Sequence, residues 1–121
     1  MRPYAFVLAV QNLAVSTAYF QDVLGFKIDW ADGDEWRLLA RGETRFMLGH
    51  CPAMPPARDI GDHSYIAYVS VDDVDALHTE FAARGAMILQ PPADKAWGIR
   101  EMLLATPDGH RMMLGQTITP R

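Results

Sequence analysis

Six side chains of this sequence have the chemistry of a pocket for a flat or positively charged molecule. Tryptophan presents an aromatic face that attracts a cation by about 1 kcal/mol, and by more where water is excluded. A carboxylate attracts a positive group, and a tyrosine hydroxyl donates or accepts a hydrogen bond. The candidate ligand-binding residues are Trp97, Glu101, Tyr68, Trp36, Trp30 and Arg100.

Trp97 is the first aromatic candidate, because Gly98 follows it in a loop and its ring is placed to cover a ligand. Arg100 and Glu101 are neighbours in a predicted strand, so their side chains point to opposite faces and only one faces the pocket. Structural alternatives stay open for these residues. A tryptophan in a small domain also serves as a core or dimer-interface residue, and Glu101 could form a salt bridge across the sheet.

A second constellation of side chains could bind a metal. His63, His110 and Glu101 together would make a two-histidine, one-carboxylate site for a divalent ion. Against this, His110 follows a Pro-Asp-Gly turn, where polar residues are common. No serine lies in a nucleophile elbow and no histidine has an identifiable carboxylate partner, so we assign no catalytic residue. The single cysteine, Cys51, excludes an internal disulfide bond and a thiolate metal cluster.

The elements that must position these residues are repeated within the chain. Residues 10–13 (VQNL) match residues 71–74 (VDDV) at an offset of 61. Residues 38–40 (LLA) match 103–105 (LLA) at an offset of 65, and 45–49 (RFMLG) match 111–115 (RMMLG) at 66. Because the matches keep their order, with loop-sized changes of offset, we infer a duplicated unit.

Each half of the chain predicts one β-strand, one helix and three further β-strands. Asn12 caps the first helix and Asp72 or Asp73 the second, while Gly25 and Gly85 end them. The predicted helices are 13–24 and 74–84, and the predicted strands are 4–10, 26–31, 36–40, 44–49, 65–71, 86–90, 99–105 and 111–115.

The repeat predicts an α+β fold in which two tandem βαβββ modules form a curved mixed sheet around a concave pocket. Module 1 covers about residues 1–50, a proline-rich linker covers 51–62, and module 2 covers about 63–121 of a single domain of 121 residues. Residues 91–98 form a second long loop. We expect both long segments to be functional, because irregular loops of this length are uncommon in so small a domain.

Composition places the chain among globular proteins and argues against two kinds of partner. Half of the residues are hydrophobic and 21% are charged. The net charge of -4 argues against a nucleic-acid-binding protein, which carries a basic face. No apolar run approaches the length of a membrane span, and the first run is too short for a signal peptide. We therefore expect a cytoplasmic protein without a membrane partner.

Several motifs resemble one superfamily. Residues 12–20 (NLAVSTAYF) and 23–26 (VLGF) are similar to the opening helix of the vicinal-oxygen-chelate superfamily of glyoxalases, extradiol dioxygenases and bleomycin-resistance proteins, and 71–77 (VDDVDAL) to its second helix. Residues 97–101 (WGIRE) and 106–111 (TPDGHR) resemble closing segments of its bleomycin-resistance branch. The resemblance covers essentially the whole chain. It implies the glyoxalase/bleomycin-resistance fold, usually as a homodimer with pockets at or near the interface.

The resemblance also implies where a divalent metal would bind. Metal-using members take His, Glu or Gln ligands from the first and last strands of each unit, positions that correspond here to Ala5, Ile66, Met47 and Met113. None is an ordinary ligand for such an ion, since hydrocarbon side chains offer no lone pair and Met is a soft donor. We therefore expect no cofactor; the alternative is one divalent metal ion held by His63, Glu101 and His110.

These observations favour a metal-free, dimeric small-molecule-binding protein of the bleomycin-resistance type over an enzyme. It would sequester its ligand without turnover, as in the antibiotic resistance associated with that branch. The first alternative is a metal-dependent glyoxalase- or dioxygenase-type enzyme (a lyase, isomerase or thiol transferase) that uses His63, Glu101 and His110. The second is a structural or regulatory partner domain whose pocket is filled by Trp and Met side chains.

Overall fold

One βαβββ order runs twice along residues 1–118, the part of the chain that the computed structural model describes. Helix α1 continues directly into a π-helix, Tyr19–Val23, and a 3-10 helix, Ala57–His63, connects the modules. Module 1 consists of β1 (Phe6–Val10), α1 (Leu13–Ala18), β2 (Lys27–Asp32), β3 (Trp36–Arg41) and β4 (Thr44–His50), and module 2 of β5 (Tyr65–Ser70), α2 (Val74–Ala83), β6 (Met87–Asp94), β7 (Ile99–Ala105) and β8 (Arg111–Thr117).

The strands form two four-stranded mixed sheets, one for each module. The strand order is β1-β4-β3-β2 in the first and β5-β8-β7-β6 in the second. In each sheet the first strand pairs with the last in parallel, and the remaining pairs are antiparallel. The α+β class and the duplicated βαβββ unit are thus confirmed, and the mixed sheet is built as two four-stranded sheets, one from each module.

The hydrophobic core lies between the sheets and the two helices. Alternate residues of the central strands, such as Phe46 and Leu48 in β4, are fully buried on the face that the helices cover. Phe20 and Phe81, which are 61 residues apart, insert from the two helices into one continuous core. Alternation therefore directs the intervening side chains to the opposite face of each sheet, which we call the site face.

The helix ends confirm the sequence signals that define the repeat. The carboxamide of Asn12 accepts the Val15 N–H at 3.0 Å, and the Asp73 carboxylate accepts the Ala76 N–H at the same distance. Asp73, not Asp72, is therefore the N-cap of α2. None of the helices in the described residues 1–118 is both long and apolar enough to cross a membrane.

Equivalent helix positions connect the two modules. The Tyr19 hydroxyl donates to the Ala105 carbonyl at 2.8 Å and accepts the Met87 N–H at 3.1 Å, both in module 2. Glu80, 61 residues after Tyr19, accepts hydrogen bonds from Arg41 of module 1 at 2.6 and 3.0 Å. Each helix therefore binds the sheet of the other module.

Both segments expected to be irregular loops contain regular structure. The linker includes the 3-10 helix, and the Arg58 N–H donates to the Asp108 carbonyl at 2.9 Å. Strand β6 extends to Asp94 through two register shifts, so Pro91 and Pro92 lie inside a strand. Strand β6 is at the sheet edge, where proline removes no interior hydrogen bond.

Candidate functional site

A buried carboxylate lies at the centre of the candidate site. Glu101 belongs to β7, is only 5% exposed, and is aligned with Gly115 of β8. The Tyr68 hydroxyl donates to Glu101 Oε1 at 2.7 Å, and the Trp97 indole N–H donates to the same oxygen at 3.0 Å. Three predicted residues, from β5, the β6–β7 loop and β7, are thus brought together.

The two aromatic residues of this cluster are about half exposed. Trp97 is 56% exposed and Tyr68 is 46% exposed, although the polar atom of each is directed to Glu101. Each side chain combines exposed hydrocarbon surface with a polar atom that binds the carboxylate. The arrangement supports stacking together with attraction of a positive group.

Gly115 makes the approach of Tyr68 possible. A Cβ atom at position 115 would collide with the Tyr68 hydroxyl oxygen and would lie 2.8 Å from its ring carbon Cζ. Only glycine leaves that space. Gly115 was not among the predicted site residues, although the repeat that pairs Gly49 with Gly115 contains the signal.

Module 1 has an aromatic side chain in the equivalent position. Trp36 corresponds to Glu101 at an offset of 65, and it is aligned with Gly49, the counterpart of Gly115. A Cβ at Gly49 would lie 2.9 Å from two ring carbons of Trp36. One module thus places an indole over its glycine, whereas the other places a tyrosine hydroxyl and a carboxylate there.

The remaining two predicted residues lie on opposite faces. Trp30, 48% exposed on the edge strand β2, is aligned with Leu38, so it shares the site face with Trp36. Arg100 points to the helix side, where it binds Asp75 of α2 at 3.0 Å and Asp94 at 2.9 Å. These carboxylates raise the pKa of Arg100, and Arg100 in turn lowers the pKa of Asp75. The structure does not bring Arg100 to Glu101.

The structure places the residues of the alternative metal site in different environments. His63 is exposed at the end of the 3-10 helix, whereas His110 is buried with Nδ1 2.7 Å from the Thr106 hydroxyl. Burial lowers the pKa of His110, an effect that Asp108 and the Ala9 backbone oppose. Within residues 1–118, no three His, Cys, Asp or Glu side chains are grouped to hold a metal ion.

The metal positions implied by the resemblance do not fit a divalent ion either. Met47 is aligned with Val7, and Met113 with Tyr68, in the parallel strand pairs. Together with Ala5 and Ile66, the methionines offer thioether sulfur and hydrocarbon, which are not the nitrogen and oxygen donors that such ions prefer. We therefore derive no chemistry through a metal.

Comparison with known proteins gives one family and one fold. The profile of the Glyoxalase/Bleomycin resistance protein/Dioxygenase superfamily matches residues 4–114. CFP32 of Mycobacterium tuberculosis, a protein named as a glyoxylase, is 30% identical over 98 residues, which are 78% of this chain and 36% of that protein. The chain thus spans about a third of the length of this relative.

Solved structures agree in fold. The bleomycin resistance determinant encoded on transposon Tn5 superposes with a TM-score of 0.82, covering 98% of this chain and 100% of that one at 20% identity. The bleomycin-binding protein of Streptomyces verticillus, solved with copper(II)-bleomycin, gives a TM-score of 0.73, covering 99% and 98% at 22% identity. These similarities confirm the glyoxalase/bleomycin-resistance fold expected from the sequence.

Proposed function

Because the chain belongs to the Glyoxalase/Bleomycin resistance protein/Dioxygenase superfamily, we propose that it is a small-molecule-binding protein of the bleomycin-resistance type. It sequesters an aromatic or cationic ligand on the site face and needs no metal to do so. The main support for this proposal is that the Glu101 carboxylate is buried and is flanked by two half-exposed aromatic residues. Bleomycin-binding proteins with the same fold support the ligand class.

The contacts of Glu101 favour a ligand with a positive group. Tyr68 and Trp97 are neutral donors, and both hydrogen bonds go to Oε1. A buried carboxylate without a counter-charge is unfavourable, and none of the ion pairs found within residues 1–118 involves Glu101. A cationic donor acting on Oε2 supplies that charge, while its flat portion stacks on the rings.

A second copy of the chain completes the pocket in this proposal. Tyr68 and Trp97 of module 2 are exposed hydrophobic side chains on or beside the site face, and Val7 and Trp30 extend the exposed surface on the sheet of module 1. Apolar patches of this kind mark interaction surfaces. A homodimer that covers them excludes water from Glu101, and exclusion of water strengthens its attraction for a cation.

A binding titration tests the proposed function. We expect metal-free bleomycin, or a flat aromatic cation such as ethidium, to quench tryptophan fluorescence saturably in chelator-treated protein. Glu101→Gln should weaken binding at least about tenfold, since it removes a charge-assisted contact. Asp34→Asn, which removes one charge from an exposed hairpin turn, is the matched control and should bind normally. Equal affinity of Glu101→Gln and wild type, or binding only after metal is added, would overturn the proposal.

A further inference from the structure

The duplication creates two equivalent junctions between the modules. In one, the turn between β7 and β8 (residues 106–110) contacts the chain at the end of β1. In the other, the turn between β3 and β4 (residues 42–43) faces the end of β5. The two junctions are equivalent in the repeat. The strands that follow the two turns, β4 and β8, correspond at the offset of 66, and the ends of β1 and β5 correspond at the offset of 61.

The longer turn fills the first junction. The Gln11 N–H, just after β1, donates to Asp108 Oδ2 at 2.8 Å. Thr106, Asp108 and His110 of the turn are all buried. The linker packs against this turn as well, since the Arg58 N–H donates to the Asp108 carbonyl. Polar groups of the chain itself therefore occupy this space.

The shorter turn leaves the second junction open. Two residues connect β3 to β4, whereas five connect β7 to β8. A cavity of about 440 Å³, the junction cavity, lies where the longer turn would be. Its partly exposed apolar wall consists of Val69, Val71 and Leu77, and the core rings of Phe26, Phe46 and Phe81 lie behind this wall with little or no exposed surface. This volume is in the range of small-molecule sites, and both modules contribute to the lining.

The mouth of the junction cavity is acidic. Arg41, the basic residue of its wall, forms two hydrogen bonds with Glu80, a carboxylate that Arg84 also contacts at 3.3 Å. Glu43 of module 1 and Asp72 of module 2 add two exposed carboxylates to the wall. An apolar interior beneath carboxylates is complementary to a molecule with a positive end and an apolar body.

We propose that the junction cavity is a second binding site, for a small molecule that carries an ammonium group on an apolar body. The apolar body packs against Val69, Val71 and Leu77, and the ammonium group lies between Glu43 and Asp72. This site is separate from Glu101, because Phe46 and Leu114 in its wall belong to the helix-covered face of the sheets. It therefore does not depend on the proposed function.

Nuclear magnetic resonance of the full ¹⁵N-labelled chain tests the proposal with phenethylamine as the probe. We expect saturable shifts of the amide signals of Gly42, Ser70 and Asp72. The uncharged 2-phenylethanol and the anionic 3-phenylpropionate, which have similar apolar bodies, should bind about tenfold more weakly or not at all.

Variants assign the shifts to this cavity. Glu43→Gln combined with Asp72→Asn should raise the Kd for phenethylamine to that for the alcohol, and Ser70→Trp, a change at an exposed wall position, should abolish the shifts. Glu101→Gln should leave the Kd unchanged, which separates this site from the proposed one. Shifts confined to Tyr68, Glu101 and Gly115, a wild-type Kd in the double variant, or equal binding of all three probes would overturn the inference. The double variant changes exposed side chains only, so it decides the matter even if Ser70→Trp does not fold.

Discussion

Replacing Gly115 by alanine tests the structural logic of the Glu101 site. The new Cβ would collide with the Tyr68 hydroxyl and would lie 2.9 Å from Cγ2 of Ile99. Overpacking of this kind costs about 1–3 kcal/mol. Displacing Tyr68 also breaks its hydrogen bond to Glu101, which as a bond to a charged group contributes about 1.5–3 kcal/mol.

One effect opposes these costs. Alanine restricts the unfolded chain more than glycine, which stabilises the fold by about 0.4–1 kcal/mol where the backbone conformation is compatible. Gly115 is not among the glycines with positive φ, so this gain applies. We therefore expect Gly115→Ala to lower the free energy of unfolding by about 2–4 kcal/mol.

A double-mutant cycle identifies Tyr68 as the cause. In a Tyr68→Phe background the hydroxyl is absent, so the cost of Gly115→Ala should fall by about 1–2 kcal/mol. Urea unfolding followed by circular dichroism, with unchanged m-values, measures all four proteins. Gly49→Ala is the matched control, because a Cβ at position 49 would meet Trp36. The loss of unfolding free energy in Gly49→Ala should therefore be the same with Tyr68 or Phe at position 68. An equal cost of Gly115→Ala in both backgrounds would refute the reasoning.

Three further predictions concern the module framework. Burial lowers the pKa of His110, so thermal stability should fall as the pH drops below about 6.5, the unfolded pKa, and His110→Gln should flatten this dependence in melting experiments. Asn12→Ala and Asp73→Ala should each cost about 1 kcal/mol in urea unfolding, and the two costs should add. Tyr19→Phe, which leaves two backbone groups without their partner, should cost about 1–3 kcal/mol, and a change under 0.5 kcal/mol would contradict its connecting role.

Part of the candidate site was predictable because it depends on strand periodicity. The opposite facing of Arg100 and Glu101 follows from alternation, and the structure has them on opposite faces. Alternation also places Tyr68 on the site face. Alternation does not predict that Tyr68 donates a hydrogen bond to Glu101, because the two residues are 33 residues apart in the chain.

Contacts between distant segments decide the environments of other residues. His63 and His110 have types and spacing that suited a metal, yet the linker leaves one exposed and the turn of residues 106–110 buries the other. Pro91 and Pro92 predicted a loop, but an edge strand tolerates them. The neighbouring residues in the sequence did not predict these environments, because each environment depends on which distant element packs against the residue.

The sequence by itself determined the duplication, the order of elements and the helix caps, because each depends on neighbouring residues and on periods of two or about four. Only the tertiary structure decided that Tyr68, Trp97 and Glu101 meet, and that Asp75 binds Arg100 on the other face. It also decided that one junction is filled while its counterpart holds a cavity. The physical reason is that burial and hydrogen bonding between distant segments depend on how the two modules pack, and local sequence does not encode that packing.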